Sequence, residues 1–417
     1  YPDYSADERR DALATLCARP SWARELLGAV GDGRVPKQEL SAFQLRALRQ
    51  LEDAEVDRLL DLYVGLVRPE DPGKQREIAR VRALLDEAPL DDGGELARGR
   101  EVFTRTCQQC HGLFGPGGAL GPDLTGANRT EREYLLSNVL DPSGVVANEY
   151  KTTVARLADG RLVTGIERAR TPTSVTLQSE TERVTLALDE LAELELSPLS
   201  TMPEGLLDAL APDDVRALFA YLASPTQVPL RATSANLHGF FDGRTLAGWH
   251  GDPSVWSVEP APENAVGEIV GRTAGLARNE FLKSEYELGD FRLSLAVRLV
   301  GDAGNSGIQF RSRELEDGEV GGYQADIGPG WWGKLYEEHG RGLVVERGAA
   351  TVVSDGWNRY VIECQGARVR TWLNDEPCVD LEDDAGARAG IVALQVHSGG
   401  PTEVRFRDLR LELLPAR

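Results

Sequence analysis

The sequence is poor in the features that tie a protein to a membrane or to nucleic acid. Its 417 residues contain no run of about 18 or more apolar side chains, the length that a membrane-spanning helix requires. Basic residues are outnumbered, with 46 Lys and Arg against 67 Asp and Glu, and the formal net charge is −21. Because such a surface repels phosphate backbones and anionic headgroups, we expect neither a nucleic-acid partner nor membrane insertion.

Sulfur-containing residues are also scarce. The chain has five cysteines and one methionine, Met202. Cys17, Cys364 and Cys378 are isolated in sequence, so we expect buried thiols, although a Cys364–Cys378 disulfide is left open. The chain begins at Tyr1 without an initiator methionine or an apolar leader, from which we expect a processed product or a piece of a longer protein.

The length and the changes of pattern predict a multidomain α + β protein. Residues 1–92 carry apolar side chains at helical spacing and predict short helical repeats. Residues 93–225 predict a mainly helical domain with a β insertion at about 150–197, in which ADGR forms a hairpin turn, and with a closing helix PDDVRALFAYLA. Residues 226–236 combine proline with small polar residues and predict a linker. Residues 237–417 consist of short alternating segments, which indicate a sandwich of two antiparallel sheets.

The segment CQQCHG contains the two cysteines that lie close together. Cys107 and Cys110 are one helical turn apart, so both thiols can add to the vinyl groups of one porphyrin, and the adjacent His111 can bind its iron. A zinc site would need two more ligands at zinc-finger spacing, and a thioredoxin-like pair would need a βαβ setting, and neither context is present. The motif therefore predicts one covalent haem c with His111 as an axial metal ligand.

Met202 is the candidate for the second axial metal ligand. It lies in the segment STMPEG, just before the closing helix. A thioether ligand raises the reduction potential of a haem, which suits electron transfer rather than oxygen chemistry. The alternative is a core methionine that fills a gap, but a Met-Pro pair on a loop favours ligation.

The segments CQQCHGLFGPGGALGPDLTG, NRTEREYLLSNVLDPSGVVANEY and STMPEGLLDALAPDDVRALFAYL resemble the cytochrome c domain of planctomycete and verrucomicrobial multidomain proteins. This resemblance covers residues 95 to 225. It implies Cys107 and Cys110 as attachment points, His111 and Met202 as axial ligands, and a periplasmic or otherwise exported location. It also implies a redox partner such as a sugar dehydrogenase.

Three strands predicted in the sandwich, SGIQFRS, GYQADIG and GIVALQVHS, alternate between apolar and polar side chains. The apolar residues are predicted to face the core: Ile308, Phe310, Tyr323, Ala325, Ile327, Val392, Leu394 and Val396. The polar residues are predicted to share the opposite face: Gln309, Arg311, Gln324, Asp326, Gln395 and His397. A solvated surface is the alternative, but together with the loop GPGWWGKLY these residues fit a concave sugar-binding surface, since aromatic rings pack against pyranose rings and charged groups bind hydroxyls.

The segments FFDGRTLAGWHG, NSGIQFRS, GYQADIG, WWGKLYEE and GIVALQVHSGGPTEVRFRDLRLELL resemble the 3-keto-disaccharide hydrolase family, whose fold is similar to a concanavalin-type jelly roll. The resemblance implies cleavage of a sugar whose C3 hydroxyl has been oxidised to a ketone. The ketone acidifies the C2 proton, so a base can remove it and the glycosidic oxygen can leave C1.

This chemistry assigns roles to residues of the sandwich. We predict His397 as the base with Asp326 as its alternative or orienter, and Arg311 or Lys334 as the group that stabilises the enolate. Four further residues are predicted to bind the sugar: Gln324, Gln395, Tyr336 and Trp332. His238, His250 and His339 are predicted to be structural or solvated, and the acidic segment LEDDAG would allow a structural calcium ion.

Two hypotheses about function result. The first is an electron-transfer cytochrome fused to a domain that hydrolyses or eliminates 3-keto-glycosides. The second is a cytochrome tethered to a non-catalytic carbohydrate-binding module that serves a dehydrogenase. The family often has Glu and Gln where this strand has Gln324 and Asp326, and this displaced carboxylate keeps the second hypothesis open.

Overall fold

A computed structural model of the protein describes residues 4–87, 94–237, 239–260, 266–348 and 351–415. The described residues divide into two compact units, one of residues 4–87 with 102–227 and one of residues 94–101 with 228–415. The helices are α1 (Ala6–Leu16), α2 (Pro20–Gly31), α3 (Ala42–Arg49), α4 (Ala54–Tyr63), α5 (Pro72–Leu85), α6 (Glu95–Thr106), α7 (Arg132–Leu140) and α8 (Pro212–Ala223). The predicted combination of helices and antiparallel sheets is confirmed.

The strands of the first unit are β1 (Gly65–Val67), β2 (Val145–Ala147), β3 (Lys151–Leu157), β4 (Leu162–Arg170), β5 (Ser174–Gln178), β6 (Arg183–Ala187) and β7 (Leu191–Ser200). The strands of the second unit are β8 (Leu230–Arg231), β9 (Trp249–His250), β10 (Trp256–Glu259), β11 (Glu268–Thr273), β12 (Glu280–Leu288), β13 (Phe291–Leu299), β14 (Ser306–Glu314), β15 (Val320–Ile327), β16 (Leu335–Glu338), β17 (Gly342–Val345), β18 (Asn358–Gln365), β19 (Arg368–Leu373), β20 (Glu376–Glu382), β21 (Gly390–Val396) and β22 (Thr402–Leu413).

Local sequence signals start several helices of the first unit. At α1 the Ser5 hydroxyl accepts from the Glu8 amide and the Glu8 carboxylate accepts from the Ser5 amide, which is a complete capping box. Helix α4 is capped by Asp53, whose carboxylate accepts from two backbone amides of the first turn. Helix α8 begins at Pro212, where the closing helix was predicted, because proline suits the first helical position. The repeat character of α1 to α5 stays a prediction.

The predicted β insertion forms an antiparallel sheet of five strands in the order β6-β5-β4-β3-β7. The predicted ADGR turn joins β3 to β4, and Gly160 adopts a positive φ of 91° there. The Leu157 amide donates to the Arg161 carbonyl at 2.9 Å and closes the hairpin.

The second unit is the predicted sandwich. One sheet has the order β10-β11-β22-β13-β18-β19-β20, and the other has the order β17-β16-β15-β14-β21-β12-β8, with β9 also paired to β12. The apolar residues predicted to face inward on β14, β15 and β21 are all buried in the core between the sheets. Strand alternation then directs the intervening polar residues to the outer face of the second of these sheets.

Two further expectations concern membrane-spanning helices and disulfides. Among the described residues, no helix combines the length and the apolar character needed to cross a bilayer. None of the five cysteines, which all lie within the described ranges, is part of a disulfide, so the bridge left open between Cys364 and Cys378 is not formed.

Candidate functional sites

The CQQCHG segment continues directly from α6. The Cys107 amide donates to the Phe103 carbonyl at 2.8 Å, and the His111 amide donates to the Cys107 carbonyl at 2.9 Å, so the motif forms a further helical turn. Helix α6 packs on α8 through an edge-to-face contact of Phe103 with Tyr221, with ring centroids 5.6 Å apart. The two thiols and the imidazole are thus carried by a fixed turn.

The ring of His111 is oriented by one hydrogen bond. Its Nδ1 lies 2.9 Å from the Pro122 carbonyl oxygen. Because a carbonyl only accepts, Nδ1 carries the proton and Nε2 keeps a free lone pair. Burial lowers the pKa of His111, which favours the neutral ring. A neutral imidazole held in this tautomer is a suitable ligand for haem iron.

The glycine-rich loop after the motif makes room around it. A Cβ atom on Gly121 would lie 2.4 Å from His111 Cε1, and one on Gly118 would lie 1.8 Å from the Gln109 carbonyl oxygen. The Gly121 amide also donates to the Cys110 carbonyl at 2.8 Å. These close approaches need glycine, and together with the oriented His111 they show that the residues present fit a covalently attached haem.

Met202 lies just after β7, and its amide donates to the Ser200 hydroxyl at 3.1 Å. Its side chain is partly buried. Its role as the second axial ligand stays a prediction.

In the sandwich, four polar side chains lie on the outer face of the β17-to-β8 sheet and are buried there: Gln309, Gln324, Asp326 and Gln395. We call this set the polar face. The register pairs Gln309 with Gln324, and it pairs Gly307 with both Asp326 and Gln395. Gly307 therefore separates Gln395 from Asp326, and a Cβ atom on it would lie 2.4 Å from Gln324 Cδ.

A directed chain of hydrogen bonds runs along the polar face. The Ser312 hydroxyl donates to Gln309 Oε1 at 2.9 Å, and Gln309 Nε2 donates to Gln324 Oε1 at 2.8 Å. Gln324 Nε2 then donates to Asp326 Oδ1 at 2.7 Å. The chain fixes the orientation of each amide and holds one carboxylate oxygen of Asp326 in place.

The second carboxylate oxygen of Asp326, Oδ2, lies outside this series of hydrogen bonds. Within the described residues nothing donates to Asp326 Oδ2, although that atom is buried. Burial raises the pKa of Asp326 to about 7, while the Gln324 amide and the Lys334 ammonium oppose the shift. A carboxyl group with a pKa near neutrality can both take and give a proton at physiological pH.

Gln395 is the second unpartnered group of the polar face. Its side chain is completely buried, and among the residues that the structure describes neither Nε2 nor Oε1 has a hydrogen-bond partner. Buried amides are normally paired, so an amide free at both ends indicates a ligand with both donors and acceptors. Sugar hydroxyl and keto groups supply that combination.

Further charged groups lie beside this site. Lys334 is held next to Asp326, because its backbone carbonyl accepts a hydrogen bond from the Asp326 amide at 3.1 Å. Burial raises the pKa of Glu338, and the nearby His339 and His397 oppose the shift. His397 itself is exposed just after β21, with Nδ1 2.8 Å from the Ser398 carbonyl. The predicted base is thus at the edge of the site, whereas its predicted alternative, Asp326, is buried inside it.

Arg311 was predicted on the polar face and lies elsewhere. A bulge between Phe310 and Arg313 breaks the strand alternation, and Arg311 adopts a positive φ of 45°. Its fully buried guanidinium pairs with Asp290 at 2.9 Å and donates to the carbonyls of Gly289, Gly366 and Ala387. These contacts give Arg311 a structural role and exclude it as a donor to the enolate.

Trp332 was predicted to bind sugar and instead packs in the sandwich core, 7% exposed. The neighbouring Trp331 is 39% exposed, and its ring meets that of Tyr336 edge to face at 6.3 Å. The Lys334 ammonium lies 5.1 Å from the Trp331 ring centroid. Tyr336, Lys334 and the exposed Trp331 therefore lie near the polar face, and the sugar-binding role of Tyr336 stays a prediction.

The acidic segment LEDDAG and the other histidines of the second unit complete the set of predicted features. In LEDDAG, the Asp383 carboxylate is bound by Arg341 and by the Tyr323 hydroxyl. The predicted calcium ion stays a prediction. His250 is exposed, His339 lies 3.8 Å from the Glu319 carboxylate, and His238 lies outside the described residues.

A cavity of about 680 Å³ lies in the first unit among the N-terminal helices and α7. Its lining includes Gln44, Arg46 and Tyr134. None of the predicted site residues lines it, so we assign it no part in the chemistry above.

The fold and the two sites define a chain in which a domain with a CxxCH motif is joined to an antiparallel sandwich with a buried polar face. Residues 94–151 match the family described as cytochrome c oxidase, cbb3-type, subunit III. Residues 238–412 match the 3-keto-alpha-glucoside-1,2-lyase-like domain. The chain therefore contains a cbb3-type cytochrome c domain followed by a 3-keto-disaccharide hydrolase-like domain, and the first of these implies haem c.

Solved structures similar to the chain include a carbohydrate-binding module, CBM66, from Bacillus subtilis, with 20% identity over 40% of this chain and 95% of that one and a TM-score of 0.31. A candidate glycosyl hydrolase from Parabacteroides distasonis is 16% identical over 42% of this chain and 93% of that one, with a TM-score of 0.32. A galectin-like protein from Bacillus subtilis is 10% identical over 41% and 92%, with a TM-score of 0.33. No curated protein matches the chain. Function must therefore be argued from the sites.

Proposed function

We propose that this protein carries electrons on a covalent haem c and cleaves 3-keto-glycosides at the polar face of its sandwich. The observation that carries the catalytic part is the pair of unpartnered buried groups, Asp326 Oδ2 and the Gln395 amide, on either side of Gly307. A site that only binds sugar needs hydroxyl partners but gains nothing from a buried carboxyl group whose pKa lies near 7.

The proposed reaction begins at C2 of the keto-sugar. Asp326 Oδ2 takes the C2 proton, the electron pair of the C–H bond moves toward the C3 ketone, and Gln395 Nε2 donates to the resulting enolate oxygen. The enolate then expels the glycosidic oxygen from C1, and the proton held by Asp326 is returned to the leaving group. The products are an enone and an alcohol, and addition of water to the enone completes a net hydrolysis.

The test of this activity is incubation of the protein with a 3-keto-glucoside. Release of the aglycone, with exchange of the C2 hydrogen for solvent deuterium in recovered substrate, supports the proposal. Saturable binding without release contradicts it and supports the carbohydrate-binding alternative.

In the cytochrome domain, Cys107 and Cys110 would hold the porphyrin, and His111 and Met202 would bind the iron. When bound, the haem takes up and passes on one electron at a time. We infer that a sugar dehydrogenase, which forms the C3 ketone, supplies these electrons, and that the protein acts in the periplasm or another exported compartment, where haem c is attached.

The visible spectrum of the protein produced with a haem c maturation system tests this assignment. We expect the spectrum of a low-spin haem that changes on Met202→Ala. We also expect Gly121→Ala to reduce haem incorporation, because its Cβ would meet the His111 ring. An unchanged spectrum in Met202→Ala would exclude Met202 as a ligand.

A further inference from the structure

We propose that Trp331 forms a second sugar subsite, which receives the leaving-group ring of a 3-keto-disaccharide. This inference rests on the proposed function, because it takes the polar face to hold the keto-sugar ring. Trp331 is the exposed member of the Trp-Trp pair, and an exposed indole beside the polar face is a platform for the apolar face of a pyranose.

The position of Trp331 follows from the sheet register. Tyr336 is paired with Gln324, so both side chains lie on the same face of the sheet. The Tyr336 ring meets the Trp331 ring at 6.3 Å, and Gln324 donates to Asp326. Trp331 is therefore connected to the proposed base through two direct neighbours.

The spacing of the strands assigns the two rings of the disaccharide. Gln395 on β21 and Asp326 on β15 are two strands apart, about 10 Å at a strand spacing of about 4.8 Å, which accommodates one sugar ring between and above them. Lys334 and Trp331 lie just before β16, which neighbours β15 on the side opposite to Gln395. A second ring linked at C1 would extend in that direction, onto the indole.

Lys334 adds a polar contact to the same subsite. Its ammonium lies 5.1 Å from the Trp331 ring centroid and brings three donors to the edge of the platform. An aromatic surface beside an ammonium group fits a neutral sugar rich in hydroxyls.

The experiment compares a 3-keto-disaccharide with a methyl 3-keto-glucoside, which lacks the second ring. We expect Trp331→Ala to lower kcat/KM for the disaccharide about tenfold or more, mainly through KM, and to change that for the methyl glycoside less than twofold. Trp331→Phe should retain most of the activity, because it keeps an aromatic surface. Trp372→Ala, which removes an indole between two arginines on the other sheet, is the matched control.

The outcomes separate the two proposals. Equal losses on both substrates, or no loss on either, would overturn the subsite. If the unaltered protein cleaves neither substrate, the proposed activity fails, and the subsite is then decided by calorimetric binding of the same two sugars. There, Trp331→Ala must weaken binding of the disaccharide selectively, or the subsite is also wrong.

The β insertion contacts the glycine-rich loop that follows the haem motif. Arg168 on β4 donates through Nη2 to the Ala119 carbonyl at 2.7 Å and to the Leu120 carbonyl at 2.8 Å. Its Nε donates to the Gln178 side chain on β5 at 3.1 Å. Arg168 thus attaches the insertion to the glycine-rich loop beside the haem motif.

We infer that the insertion lowers the reduction potential of the haem through Glu180. This residue lies in the turn between β5 and β6, and its Oε1 is 3.7 Å from Cys110 Sγ. Because Cys110 would hold the porphyrin through this sulfur, the Glu180 carboxylate would place its negative charge close to the attached haem. The oxidised haem carries one more positive charge than the reduced one, so a nearby negative charge stabilises it.

Spectroelectrochemical titration of the haem-loaded protein tests this inference. We expect Glu180→Gln to shift the potential in the positive direction, and to shift it more at low ionic strength, because Glu180 is exposed to screening. Glu182→Gln makes the same charge change two residues further along the turn and should have a smaller effect. A Glu180→Gln shift that is absent, or no larger than the control, would contradict the inference.

Discussion

The two outer faces of the sandwich are both polar, but they satisfy their polar groups in opposite ways. On the β10-to-β20 sheet, Arg405 pairs with Glu259, Glu268 and Glu403, and Glu363 lies between Arg292 and Arg370. We call this the arginine face. On the polar face, Asp326 and Gln395 are more deeply buried and keep atoms without partners in the described structure.

This difference shows how a ligand site can be recognised on a sheet. Charged residues on a solvated sheet surface pair with their cross-strand neighbours, and such exposed pairs add little stability each. A buried polar atom without a partner costs free energy, so it is retained where a ligand supplies the missing hydrogen bond. Arg407 Nε on the arginine face also lacks a hydrogen-bond partner in the described structure, but its guanidinium forms ion pairs with Glu268 and Asp408. Asp326 Oδ2 and the Gln395 amide have no such compensation, and this distinguishes the polar face.

The largest effect should come from removing the carboxylate of the polar face. Asp326→Asn keeps the shape of the side chain but cannot take the C2 proton, so we expect kcat on a 3-keto-glucoside to fall by about 10²–10⁴-fold. In the unaltered protein, kcat/KM should rise with pH through about 7 as Asp326 loses its proton. Steady-state assays across pH measure both effects.

The matched control for this prediction is on the arginine face. Asp380→Asn breaks the bidentate pair with Arg368 and should leave turnover within about twofold. Activity of Asp326→Asn close to that of the unaltered protein would remove Asp326 as the base.

Arg311 tests the opposite case, a buried charge that is fully paired. Arg311→Met removes the guanidinium that pairs with the Asp290 carboxylate and donates to three carbonyls, so we expect a loss of about 3–5 kcal/mol in the free energy of unfolding. Denaturant titration measures this loss. The double variant Arg311→Met with Asp290→Leu should recover part of it, and a stable Arg311→Met protein that has lost activity would contradict the structural role.

In contrast to Arg311→Met, Asp326→Asn should raise the free energy of unfolding at pH 8. The folded-state pKa of about 7 exceeds the unfolded value of about 3.9, so the folded protein binds this proton more tightly. The contribution of Asp326 to the free energy of unfolding is therefore highest below about pH 4 and is lost as the pH rises through 7, by about 4 kcal/mol at most. We expect Asn to stabilise the protein at pH 8 but not at pH 4, as measured by the unfolding midpoint. A variant destabilised equally at both pH values would contradict the unpartnered state of Asp326.

The sequence was sufficient to predict which side chains share a face of a strand, but not the contacts between neighbouring strands. Alternation placed Gln309, Gln324, Asp326 and Gln395 correctly on one face. It failed at Arg311, because a bulge depends on pairing with neighbouring strands, which a single strand's pattern does not contain.

The aromatic and acidic neighbours of the site show a second limit. Of the two adjacent tryptophans, Trp332 is buried and Trp331 is exposed, and which one enters the core depends on how the loop closes. Glu338 was overlooked, although it follows Tyr336 by two residues and so shares its face of β16. That signal was available in the sequence WGKLYEE.

The smallest effect is expected from His397, the base first predicted from the sequence. Its imidazole is exposed at the end of β21 and lies near Glu338, outside the hydrogen-bond chain that orients Asp326. We therefore expect His397→Ala to lower kcat/KM on a 3-keto-glucoside less than tenfold, through a change in the charge around the site. A loss of more than about a hundredfold, with the pH dependence of Asp326 unchanged, would return the role of base to His397. The polar face would then bind the sugar while an exposed group at its edge performed the proton transfer.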